Sequence, residues 1–109
     1  MNNTKEGVKY DQGKPRCSLV LGDFARALLA VSEVGTFGAN KYTDHGWVTV
    51  ENGFERYSDA LVRHLLQGSY EPYDRESGLS HAAHAAWNAL ARLELILRYL
   101  AADWLLKYA

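Results

Sequence analysis

Beyond Ser80 the chain runs to its last residue without a proline, and this stretch limits the fold more than any other feature. It is rich in alanine, and Trp87, Leu90, Leu93, Ile96, Leu97 and Leu100 recur at helical spacing. Ser80 stands where an N-cap is wanted. The pattern predicts a long helix from about His81, which ends in the apolar string AADWLLKYA. Such a rod cannot bury its own stripe, so the rest of the chain, or another copy, has to cover it.

Two more helices are legible. From Gly22, with Asp23 as N-cap, the residues Phe24, Leu28, Val31, Val34 and Phe37 mark a first helix toward Lys41 or Tyr42. Residues 43–50 form a connection. A second helix starts near Glu51 or Asn52 and stops at Gly68 as its C′ residue, burying Phe54, Tyr57, Leu61, Leu65 and Leu66. The polar segment from Ser69 to Ser80 is a long loop, and loops of that length in small domains usually carry function. No alternating strand competes. The fold class expected is all-α: a bundle of three main helices with room for a short fourth.

With 109 residues there is space for one domain. The first eight residues offer nothing to bury and are expected to be mobile, leaving 9–109 as a single all-α domain. Twelve basic residues against 13 acidic ones leave a net charge of −1, so no global field draws the chain to a nucleic acid polymer or an anionic membrane. The single cysteine, Cys17, excludes an internal disulfide. The polar N-terminus and the lack of a long apolar run predict neither a signal peptide nor a membrane span, which points to the cytoplasm. A core this small favours self-association, as a homodimer or homotetramer.

Chemistry enters where polar residues interrupt the apolar stripes. His81, His84, Asn88 and Arg92 fall three and four apart and share one face of the last helix. On the second helix Arg56, Asp59 and Arg63 form a ridge with Tyr57 and His64 beside it, a pattern equally readable as a solvated ladder of ion pairs. Glu33 borders the stripe of the first helix, with Lys41 two turns on. Bundles build metal and ligand sites from such facing side chains. Asp74 and Glu76 arrive just before the start of the last helix, whose free N–H groups suit a phosphate. Carboxylates there make sense if a divalent cation bridges them to that phosphate. Lys14, Arg16, Lys41, Arg56 and Arg63 supply further positive charge, and Tyr10, Tyr42, Trp47 and Tyr73 are aromatics on which a base can stack. The combination points to a phosphorylated small molecule carrying a base.

The segments KYDQGKPR, EVGTFGANKY followed by a tryptophan, RYSDALVRH and DRESGLSHAAHAAWNAL together resemble the dATP/dGTP diphosphohydrolase N-terminal-domain family of phages and bacteria. That family is similar to the MazG-like all-α nucleotide pyrophosphohydrolases. The resemblance spans about residues 8–97. It implies hydrolysis of a purine deoxynucleoside triphosphate to the monophosphate and pyrophosphate, with Mg²⁺ or Mn²⁺, in the nucleotide pool of an infected cell. The motif positions it implies are Lys14, Glu33, Lys41, Tyr42, Trp47, Arg56, Asp59, Arg63, His64, Asp74, Glu76, His81, His84 and Asn88.

One departure affects the ligand set. MazG-like enzymes resembling this chain carry clustered carboxylates, whereas Glu33 has no acidic neighbour three or four residues away. Mixed imidazole and carboxylate ligation favours Mn²⁺ or another transition ion over Mg²⁺. The expected arrangement has Glu33, Asp59, Asp74, Glu76, His81 and His84 as the metal set. Among these Glu33, Asp59 and Glu76 are candidates for catalysis, while Lys14, Arg16, Lys41, Tyr42, Trp47, Arg56, Arg63, His64 and Asn88 bind substrate. Two other readings stay open at this point: a phosphohydrolase resembling HD-domain enzymes and releasing triphosphate, and a nucleotide-binding module without turnover.

Overall fold

The structure, a computed structural model, describes residues 6–108. Four α-helices appear in the order α1 (Ser18–Leu21), α2 (Ala25–Lys41), α3 (Gly53–Gly68) and α4 (His81–Tyr108), with a 3₁₀ turn at Gly46–Thr49 between α2 and α3. Among the described residues there is no strand, only an isolated bridge between Tyr73 and Ser80. The all-α expectation is met. The expected mobile tail falls mainly on residues 1–5, outside the described residues.

The boundaries differ from the sequence reading in instructive ways. α1 is a single turn ahead of the first expected helix, held by Leu21 N–H to the Cys17 carbonyl and Gly22 N–H to the Ser18 carbonyl. Asp23 does not cap α2; Phe24 occupies that position, with no side-chain cap bond. α3 starts after Asn52, whose left-handed backbone (φ 55°) turns the chain into the helix. Gly68 is the last residue of α3 rather than its C′ residue. At α4 the expectation holds: the Ala83 N–H donates to Ser80 Oγ at 3.0 Å.

α3 and α4 form an antiparallel hairpin. Gly68, at the end of α3, faces His81 at the start of α4, where an added Cβ would lie 3.2 Å from the His81 Cβ. Further along, Arg92 Nε donates to Ser58 Oγ at 2.6 Å, and Gly53 lies opposite Leu95. α4 has 28 residues and α3 has 16, so α4, about 42 Å long, projects well past the start of α3. α2 packs on α4, with Val34 buried and Gly35 beside the Trp87 ring.

The face that α4 turns inward is not its leucine face. Its buried residues are His81, Ala83, His84, Ala85, Asn88 and Ala91. Leu90, Leu93, Leu97 and Leu100 are each about half exposed, as are Leu65 and Leu66 on α3, which the sequence reading had placed in the core. Small side chains let α3 and α4 approach closely, and the imidazoles fill the space between them. The buried apolar core of the described chain is Val34, Ala83, Ala85 and Ala91.

The molecule is correspondingly drawn out. Its radius of gyration is 19.1 Å, whereas a compact domain of this length has about 13 Å. No helix among the described residues is long and apolar enough to cross a membrane.

Candidate metal centre

Three imidazoles and a carboxylate meet where the end of α3, the loop 69–80 and the start of α4 come together. His64 projects from the last turn but one of α3, and His81 and His84 from the first turn of α4. All three are buried, His81 almost completely at 1% exposure. The His64 and His81 Nδ1 atoms are 2.9 Å apart, a separation that requires one of them to donate and the other to accept. The His84 ring stacks on His64, with centroids 4.4 Å apart and planes 11° from parallel. Phe37 of α2 meets His84 edge-on, closing the cluster from the third helix.

Asp74 is delivered by a loop that the backbone itself ties down. The His81 N–H donates to the Pro72 carbonyl, the Asp74 N–H to the Leu79 carbonyl, and the Gly78 N–H to the Asp74 carbonyl. Gly78 takes φ +73°, the left-handed conformation that lets the loop fold back. Asp74 Oδ2 then accepts from both the N–H and the Oγ of Ser77, at 2.8 and 2.9 Å. Ser77 Oγ also lies 2.7 Å from His84 Nε2, which joins carboxylate, hydroxyl and imidazole in one chain.

The electrostatics keep His64 and His84 uncharged. Burial, helped by the nearby His84 and Arg63 and opposed by Asp74, pushes His64 down to about 4 from an ordinary 6.5. Burial lowers His84 as well, against the pull of Asp74. Burial raises the Asp74 carboxyl, but the two Ser77 hydrogen bonds and the imidazoles outweigh it, so the carboxyl stays below its ordinary value. At neutral pH His64 and His84 therefore offer neutral nitrogens and Asp74 an ionised oxygen, the forms that ligate metals.

Ligand atoms of His64, Asp74 and His81 all lie within 4.8 Å of one another, close enough to share one ion. His81 Nε2 is buried with no hydrogen-bond partner, and Glu71 Oε1 is 3.5 Å from it. A buried, unpaired donor or acceptor costs about 1–3 kcal/mol, and a bound ion would relieve the strain on the cluster. Two imidazoles and a carboxylate form a donor set suited to a divalent transition ion rather than to Mg²⁺. The residues present thus fit a metal.

Several expected site residues are brought to this point. His81, His84 and Asp74 meet as anticipated, and His64, expected among the substrate-binding residues, sits inside the cluster. Asn88 is buried one turn along α4, where its Nδ2 donates to the His84 carbonyl and steadies that turn. Lys41 reaches from the end of α2 to Glu76 in the loop, an exposed ion pair that ties the two together. Hydrogen bonding to Glu76, then to Tyr42, raises the Lys41 ammonium above its ordinary value, and its Nζ lies 5.1 Å from the Tyr42 ring centre.

Others are not brought here. Asp59 is exposed, five residues before His64 and so about 140° around α3 from it. Glu33 is exposed and about 100° around α2 from the buried Val34. The expectation that Glu33, Asp59 and His81 share a cation differs from what the structure brings together: both carboxylates are exposed, and neither belongs to the group of ligand atoms that converge among the described residues, although Glu33 lies one turn before Phe37, whose ring meets His84. Arg56 is exposed on the ridge with Asp59, and Lys14 and Arg16 are exposed in the N-terminal segment; Arg63, exposed on the same ridge, is near enough for its charge to act on His64 and His84. Trp47 packs with Tyr57 and Trp87 in an edge-to-face trio, its carbonyl accepting from the Tyr57 hydroxyl at 2.6 Å. The start of α4 is not a free anion site either, because the His81 and Ala83 N–H groups are already bonded to the Pro72 carbonyl and Ser80 Oγ.

The sequence reading missed Ser77 and Glu71. Ser77 had only a weak signal: aspartate in a polar loop commonly accepts bonds from backbone just ahead of it, here from the residue three on.

A helical domain that gathers three buried imidazoles and an aspartate between two antiparallel helices belongs to the class of α-helical proteins with a side-chain site in the bundle interior. Comparison with known families narrows this. The chain matches the dATP/dGTP diphosphohydrolase N-terminal family over residues 4–103, and it belongs to that family. It is also 40% identical over 81 residues to a dATP/dGTP diphosphohydrolase of Salmonella phage PMBT28. The matched region covers 73% of this chain and 26% of that protein, so the chain corresponds to about a quarter of its relative's length. No solved structure matches.

Proposed function

We propose that this chain takes part in the metal-dependent hydrolysis of dATP or dGTP to the monophosphate and pyrophosphate, in the nucleotide pool of a phage-infected cell. The observation that carries the reading is the His64–Asp74–His81 cluster, whose ligand atoms lie within 4.8 Å of one another in a chain of this family. The phage relative is named for the same substrates.

His64, Asp74 and His81 would hold a divalent ion, with His84 beside them. Such an ion supplies a Lewis acid for the phosphoryl oxygens and lowers the pKa of a bound water. Ser77 positions Asp74 through two hydrogen bonds and orients His84 through a third. The Ser77 hydroxyl between Asp74 and His84 gives a short path along which a proton can leave the site. Glu76 is held by Lys41 at the rim, where the lysine meets an incoming polyphosphate. Arg63, whose charge already acts on His64 and His84, adds to the positive field there. The self-association expected from the sequence belongs to this reading too, because four buried apolar side chains make a thin core.

The test is product analysis. Purified chain is incubated with each of the four dNTPs and Mn²⁺ or Mg²⁺, and pyrophosphate, orthophosphate and triphosphate are separated. Pyrophosphate from dATP or dGTP, lost in Asp74→Asn, is the expected result. The histidine-rich cluster also favours a second reading, a triphosphate-releasing phosphohydrolase resembling the HD-domain enzymes, and inorganic triphosphate with free nucleoside would establish it instead. Orthophosphate as the first product refutes both.

A further inference from the structure

We infer that Glu71 is a positioning residue of the metal centre: it holds a proton on Nε2 of His81 and so leaves the bare Nδ1 of that ring for the ion. The inference rests on the metal reading above but not on the reaction proposed for it.

His81 is the most deeply buried side chain of the cluster, and its two ring nitrogens meet different groups. Nδ1 lies 2.9 Å from Nδ1 of His64. Nε2, across the ring, is sealed from solvent and has no hydrogen-bond partner. What it faces is the carboxylate of Glu71, with Oε1 at 3.5 Å. Two bonds fix Glu71 in place. Its N–H donates to the Gln67 carbonyl at 3.0 Å, continuing the last turn of α3, and its Oε2 accepts from Arg75 Nε at 3.2 Å. The side chain is 23% exposed, and Oε1 is left to the imidazole.

The positions of the protons decide what this pairing does. An ionised carboxylate can only accept, so Glu71 favours the form of His81 that carries a hydrogen on Nε2. An imidazole ligates through a nitrogen that carries none, so a proton on Nε2 leaves Nδ1 as the donor atom for a cation. His64 Nδ1 then supplies the hydrogen of the 2.9 Å contact in the metal-free protein, because two bare nitrogens cannot bond. The opposite tautomer would set a bare Nε2 against the Glu71 oxygen, lone pair to lone pair, in a buried space. His84 is fixed by the same chemistry at one remove. Ser77 Oγ gives its single hydrogen to Asp74, so His84 Nε2 donates to Ser77.

The 3.5 Å separation is longer than a normal N–H···O bond of about 2.7–3.2 Å. Engaging Nδ1 with a cation draws charge from the ring and strengthens Nε2–H as a donor, so the pair tightens when the site is loaded. Imidazoles that ligate metals generally give their other N–H to such a partner, which fixes the tautomer and the ring orientation.

Two measurements test this. Long-range ¹H–¹⁵N spectra of the metal-free chain locate the His81 proton, and titration with Mn²⁺, followed by the spin resonance of the free ion, gives the affinity. In the wild type the proton is expected on Nε2. Glu71→Met keeps the length of the side chain without a strong acceptor, and is expected to shift His81 toward Nδ1–H and weaken Mn²⁺ binding about 10- to 100-fold. Glu71→Gln, whose amide oxygen still accepts, is expected to keep the tautomer and to bind Mn²⁺ more tightly than Glu71→Met. Arg75→Ala removes only the exposed partner of the other oxygen and is expected to stay within about fivefold of wild type. Should Glu71→Met lose its helical circular dichroism, Glu71→Ala takes its place with the same expectation. A wild-type His81 protonated on Nδ1 overturns the inference, as does a folded Glu71→Met chain that keeps either the tautomer or the affinity of the wild type. Keeping the tautomer while losing the ion would make Glu71 a ligand in its own right. These outcomes leave the metal reading standing, whereas a wild type that binds no Mn²⁺ refutes that reading and this inference with it.

Discussion

Acidification from pH 7.5 to 5.0 should destabilise this protein through His64 more than through any exposed histidine. The unfolded chain protonates His64 at its ordinary 6.5, while the folded chain holds it down to about 4. The shift is downward, so the folded state binds fewer protons than the unfolded one between these values. Stability is at its full value above 6.5 and is lost as the pH falls toward 4. At pH 5.0 the unfolded chain has gained the proton and the folded chain largely has not, a difference of about 2 kcal/mol. For a domain of this size that lowers the thermal midpoint by about 8–16 °C. His84, also lowered mainly by burial, adds to the loss in the same direction. The assay is urea or thermal denaturation of the metal-free chain at both pH values, for the wild type and His64→Gln. The variant should start less stable but lose about 2 kcal/mol less on acidification. Equal pH dependence in the two proteins would show that His64 is not held neutral by this fold, and the account of the cluster would be wrong.

Three further outcomes follow from the geometry. Mn²⁺ at a hundredfold excess over its dissociation constant should stabilise the chain by about 2.7 kcal/mol, read as a rise in thermal midpoint that EDTA reverses and Asp74→Asn abolishes. Arg92→Ala removes the 2.6 Å bond to Ser58 and the guanidinium 4.7 Å over the Phe54 ring, and should cost about 1–2 kcal/mol in denaturant titrations without changing Mn²⁺ affinity. Glu33→Gln should leave turnover within about twofold of wild type, because an exposed carboxylate outside the cluster contributes little; a hundredfold loss in steady-state rates, about 2.7 kcal/mol, would return Glu33 to the reacting centre.

The helices and the site differed in how legible they were. Periodicity located α2, α3 and α4 to within a few residues, because each carries an apolar stripe or a long run of helix formers. It missed α1, since a single turn has no period to detect. His81, His84 and Asn88 were legible as one face because helical spacing alone fixes that relation. Whether that face turns inward is not contained in the spacing of one helix. An apolar stripe shows that something covers it, not what, and on α4 the small and imidazole face won the contact with α3. The same indeterminacy misplaced Glu33 and Asp59, whose direction depends on how each helix is rotated in the bundle. Asp74 was anticipated from its position before a helix, but its orientation comes from main-chain bonds within the loop that no residue pattern announces.

Those main-chain bonds have a consequence for how the protein can change. The clasp from Pro72 to His81 is closed by backbone groups and by Ser77, so the side chains of Arg75 and Glu76 take no part in holding Asp74. Arg75, at 88% exposure, and Glu76, at 58%, can therefore vary without removing a bond to the carboxylate they flank, although a change at Glu76 gives up the tie to Lys41 of α2. Mutational libraries confined to these two positions offer a route to retuning what the rim attracts while the donor atoms beneath it stay in register.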